Sequence, residues 1–117
     1  MVRSETVERV TTATAMLVTL PEPIEQACSD ILLDCGLRVL KVKNVAAAAE
    51  RIPNVMPHLV VVPSTMHQLD VETLNTRCTV VGAELLKVLT TGDPQALGKT
   101  VRDAGAIALT YALRRGF

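Results

Sequence analysis

Few side chains in this sequence could do chemistry, and their spacing decides what they can do. The thiols are Cys28, Cys35 and Cys78. No two form a C-x-x-C pair, and no histidine stands at metal-ligand spacing from any of them. Cys28 and Cys35 are seven residues apart, so on a helix they share one face. That fits small buried hydrophobes in a reducing compartment, not activated nucleophiles. His58 and His67 flank an apolar run and could share the mouth of a crevice, but no Cys, Asp or Glu accompanies them. Structural histidines are expected. Ser64 and Thr65 follow the same run and are expected to cap the next helix rather than to hold a ligand. TTGDP at 90–94 would open onto a helix N-terminus, where an anion can bind. Gly98-Lys99-Thr100 lacks the upstream glycine of a phosphate-binding loop, and no G-x-G-x-x-G occurs. No metal, cofactor or catalytic residue is assigned, and no enzymatic activity is expected.

Composition excludes further classes. The 117 residues carry 12 Lys plus Arg against 12 Asp plus Glu, a formal net charge of zero. There is no basic footprint for nucleic acid. With one Tyr and one Phe there is no platform for stacking bases. Lys41 with Lys43 and Arg114 with Arg115 are expected to be solvated ends of elements. Hydrophobic residues make up 49% and charged residues 21%, which suits a folded domain with an aliphatic core. No apolar run is long enough to span a bilayer. The polar start, MVRSETVERVTT, is not a secretory signal, so a cytoplasmic protein is expected.

The elements that position these groups follow from periodicity. Residues 1–14 are an N-terminal tail or an extra element, and residues 15–117 form the domain. AMLVTL (15–20) reads as a buried strand, ended by Pro21 and Pro23, which can open a helix. Ile24, Ala27, Cys28, Ile31, Leu32 and Cys35 then form a helical stripe, closed by Gly36 in a left-handed turn. LRVLKV (37–42) is a second strand. Asn44 caps a helix with Val45, Ala48, Ala49 and Ile52 inward, and Pro53 stops it. HLVVV (58–62) is a central parallel strand covered on both faces. This β-α-β-α-β order implies a parallel sheet with right-handed crossovers.

The second half supports two arrangements. In the first, Asp70 caps a helix, 85–90 is a fourth strand, a helix runs from Asp93-Pro94 to Ala104, and 107–113 is a fifth strand. In the second, 78–81 and 85–90 are both strands. One helix then runs from Pro94 to Arg115, with a cost of about 1 kcal/mol at Gly105.

Residues 16–66 resemble the receiver domain of bacterial two-component response regulators. AMLVTL-PEP resembles the first strand and acidic turn, CGLRVLKVKNVAAAAERI the second strand and helix, and MPHLVVVPSTM the segment that carries the phosphorylated aspartate. The resemblance implies a flavodoxin-like (CheY-like) three-layer α/β sandwich with a mainly parallel five-stranded sheet. It also marks the departures. The two metal-holding acids align with Leu20 and Pro21, the phosphoryl acceptor with Pro63 and, in the first arrangement, the fifth-strand lysine with Tyr111. Only the Thr/Ser position is kept, as Thr90. Phosphoryl transfer to a protein needs a carboxylate nucleophile and a neutralising metal. Mg²⁺ needs hard oxygen ligands, and Glu22 alone does not rebuild the site. The resemblance therefore implies a pseudo-receiver that signals or scaffolds by contact, independently of phosphorylation. Its partner would be another protein or a second copy, with Tyr111 and Phe117 as possible anchors. The alternative is a flavodoxin-like domain that binds a small ligand in the crevice above Pro63, His67 and Thr90.

Overall fold

The computed structural model describes residues 13–91 and 93–115, with side chains through Ala112. Eight elements alternate: β1 (Thr14–Val18), α1 (Glu22–Asp34), β2 (Arg38–Val42), α2 (Val45–Val55), β3 (Leu59–Pro63), α3 (Gln68–Val81), β4 (Glu84–Val88) and α4 (Pro94–Arg115). The strands form one parallel sheet in the order β2-β1-β3-β4.

The two central strands explain the core. In β1 and β3, side chains alternate between faces. Ala15, Leu17, Leu59 and Val61 meet α1 and α4 on one side. Met16, Val18, Val60 and Val62 meet α2 and α3 on the other. All eight are fully buried, as expected of strands covered on both faces. The edge strands β2 and β4 expose Arg38, Lys41, Glu84 and Lys87 instead.

Local signals set most boundaries. Gly36 takes φ +100° after α1, a conformation that suits glycine. Asn44 Oδ1 accepts from the Ala47 N–H at 2.7 Å, closing the first turn of α2 as its type predicts. Pro53 does not stop α2. The helix continues to Val55 and ends at Met56 with φ 52°, because a proline in the last turn removes only one helical hydrogen bond. The cap of α3 is His67, not Asp70: its Nδ1 accepts from the Leu69 N–H at 3.1 Å.

The second half combines the two arrangements, and the described residues form a sheet of four strands, not the expected five. Residues 78–81 lie in α3, which ends at Gly82 with φ 76°. Residues 107–113 lie in α4, so the expected fifth strand is absent among the described residues. Asp93 Oδ1 accepts from the Gln95 N–H at 3.0 Å, and Pro94 opens the helix. Val101, Gly105, Ala108 and Ala112 then bury one stripe of α4. Gly105 does not end the helix but brings it against α1. Arg102 adds a 3.2 Å ion pair to Asp34 of α1.

Candidate functional site: the carboxyl end of the sheet

Parallel topology carries the residues after each strand to one end of the sheet, where ligands of such folds bind. Leu20, Pro21, Pro63 and Thr90 all follow or end strands, so they share that end. Leu20 is buried, Pro21 is the exposed residue that precedes α1, and Pro63 is the buried last residue of β3. Thr90 is half-buried just beyond β4. The backbone bends sharply here. Thr19 takes φ 53°, and its N–H donates to Val42 O at 2.9 Å. Ser64 and Thr65 are exposed turn residues. They do not cap α3, and the Ser64 N–H instead donates to Val88 O at 2.8 Å.

One expected member does not join this end. Tyr111 stands on α4, 56% exposed, because the strand that would have carried it is helix. Phe117 lies outside the described residues. The two histidines do not share a crevice mouth either. His58 precedes β3 at the amino end of the sheet, where its N–H donates to Thr14 O at 2.8 Å. Its Nδ1 accepts from the Thr14 N–H at 3.4 Å. His67 lies at the opposite end.

The Leu20, Pro21 and Pro63 side chains carry no oxygen, and among the described residues no group of three or more His, Cys, Asp or Glu stands together. One carboxylate was not singled out from the sequence. Glu25, in the first turn of α1, is 4% exposed. Its Oε1 accepts from Lys43 Nζ at 3.4 Å, and its Oε2 has no hydrogen-bond partner. Its spacing to Cys28, Ser29 and Leu32 was the available signal. Those four are the buried residues of α1, so the inward face is turned from the purely apolar stripe that the sequence suggested.

The same rotation leaves Ile24 and Ile31 half-buried and Ala27 exposed. They line an apolar groove of about 490 Å³ between α1, the end of β4 and the start of α4, with Val88, Thr90 and Leu97 across from them. That volume is in the range of ligand sites. The groove shares Thr90 with the crevice expected from sequence, but not Pro63 or His67. Burial favours the protonated form of two thiols. Burial pushes Cys28 up to about 11, and burial with the nearby Glu84 charge pushes Cys78 up to about 11.

No family model matches the sequence, and no curated protein matches it. Among solved structures, the fold is similar to that of the chemotaxis protein CheY4 of Vibrio cholerae, at 15% identity and a TM-score of 0.51. The alignment covers 80% of this chain and 98% of that one. Among the described residues, no helix is long and apolar enough to cross a membrane. The fold of the described residues is thus receiver-like and flavodoxin-like, with four parallel strands and four helices.

Proposed function

We propose that this chain is a pseudo-receiver, a cytoplasmic signalling or scaffolding module that acts through protein contacts without being phosphorylated. The observation that carries this reading is Pro63, buried at the end of β3 where a receiver-like pocket needs an aspartate. Proline has no nucleophilic atom, so no acyl phosphate can form there. Leu20 and Pro21 support the reading because neither side chain can ligate Mg²⁺. The fold is kept while the groups that would switch it are replaced by groups without a carboxylate, of which Leu20 and Pro63 are buried.

The test is amide NMR with acetyl phosphate or beryllofluoride plus Mg²⁺. The expected spectrum is unchanged. Shifts clustered at residues 20–23, 63–66 and 90 would sink the reading and reveal an anion or metal site built from other groups.

A second reading rests on the groove between α1 and α4. Its lining favours a small, largely apolar ligand, with Thr90 and Asp93 at the rim. A ligand that binds only the folded chain raises the unfolding midpoint. A thermal-shift screen therefore separates this reading from the first.

A further inference from the structure

β4 is the outer strand of the sheet, and among the described residues nothing pairs with its far edge. Its hydrogen bonds to the β3 side fix which groups face outward. The Glu84 N–H donates to His58 O at 3.1 Å, and Val88 O accepts from the Ser64 N–H at 2.8 Å. In a strand of a parallel sheet, the N–H and C=O of one residue point to the same side. Residues 84, 86 and 88 therefore address β3, and Leu85 and Lys87 direct their backbone groups away from the sheet. Both flanks of this edge are open. The apolar groove lies on the face covered by α1 and α4. On the other face is a groove of about 440 Å³, lined by Gln68, Glu72 and Asn75 of α3 and by Glu84, Leu85 and Lys87 of β4.

We propose that this edge pairs antiparallel with the same edge of a second copy of this chain, about a two-fold axis through Leu86. Such an axis keeps each sheet face continuous, so outward-facing residues must meet outward-facing residues. Pairing Lys87 with Lys87 would set like charges directly opposite each other, which is destabilising. Pairing Leu85 with Lys87 avoids this and completes the ladder on both sides of the axis. Leu86 then meets Leu86 at the centre. Each Lys87 then stands opposite the other copy's Leu85, next to the polar groove that Glu72 and Glu84 line beside that copy's own Lys87. This complementarity of the edge with itself selects a second copy as the occupant, and a net charge of zero sets up no long-range repulsion. Unpaired edges commonly recruit strands in this way. The pairing does not depend on the state of the pocket, so its failure and that of the pseudo-receiver reading are separate results.

The test is sedimentation equilibrium of the full chain over a concentration series. The expected weight-average mass rises from 12.6 kDa toward twice that value. Lys87→Glu, which sets a carboxylate beside Glu72 of the other copy, weakens association about tenfold, equivalent to about 1.4 kcal/mol. The double variant Glu72→Lys/Lys87→Glu restores it. Both positions are exposed, so the fold survives, as far-UV circular dichroism checks. A dimer whose constant ignores Lys87→Glu overturns the proposal, as does a monomer at every concentration. In that monomer, hydrogen exchange assigns the edge. Protected amides at Leu85 and Lys87 would give it to residues 1–12 of the same chain, and unprotected ones would show an edge that stays open.

Discussion

Gly105 of α4 faces Leu32 of α1 so closely that a β-carbon at Gly105 would stand 2.9 Å from Leu32 Cδ2. Leu32 is fully buried, and the same β-carbon would stand 3.5 Å from Cys35 Sγ. The leucine therefore cannot swing aside without displacing its neighbours. Glycine costs about 1 kcal/mol in a helix, and here that cost permits the two helices to touch.

Gly105→Ala weighs these terms against each other. The gain in helix propensity is about 1 kcal/mol, and overpacking costs about 1–3 kcal/mol. The expected net effect is a loss of about 1 kcal/mol, read as a lower urea midpoint. Gly105→Val, with a larger clash and poorer propensity, loses more. A midpoint that rises with Gly105→Ala would mean that the helices are not held this close.

Glu25 tests how a buried carboxylate is tolerated. Its one ionic partner, Lys43, has a side chain 75% exposed, and such a pair is worth about 0–1 kcal/mol. Desolvating a charge with an unmet oxygen costs more than that. Glu25→Leu is expected to stabilise the fold by about 1 kcal/mol, whereas Lys43→Met destabilises it by about 0.5 kcal/mol. Urea denaturation of the two variants checks both signs. A large loss with Glu25→Leu would mean that the carboxylate is a net stabilising group.

The thiols carry a pH dependence. Cys28 and Cys78 are raised from an ordinary value of 9.0 to about 11 in the folded chain. A raised folded value means that the native state holds its protons longer than the unfolded one. The stability this represents is fully present below pH 9 and is lost as the pH climbs from about 9 to about 11, by about 2 kcal/mol per thiol. Chemical denaturation between pH 8 and pH 11 should therefore show falling stability. Cys28→Ala/Cys78→Ala should flatten that slope while lowering stability overall. At pH 8, a thiol reagent should label half-buried Cys35 before the other two.

Much of the first half was legible from residue order. The apolar runs of β1 and β3 and the Asn44 cap are short-range signals, and local chemistry settles them. The second half was not legible in the same way. Residues 107–113 are apolar enough for a strand or for one face of a helix. The choice lies in the fit of Gly105 and Ala108 against α1, which no local pattern contains. Glu25 was missed for a related reason. Sequence alone assigns a lone glutamate in a first helical turn to solvent, and only the position of Lys43 beyond β2 shows what covers it.

Residue identity by itself determined which groups stand at the strand ends. Pro63, Leu20 and Pro21 bring no side-chain carboxylate to those positions, however the chain folds. Residue order also determined the alternation of strand and helix, because period and prolines act locally. Among the described residues, the tertiary structure decided the number of strands, which face of α1 is inward, and that β4 is the last strand of the sheet. Those are properties of how elements pack. They depend on a glycine meeting a leucine across two helices and on a helix taking the place of a fifth strand.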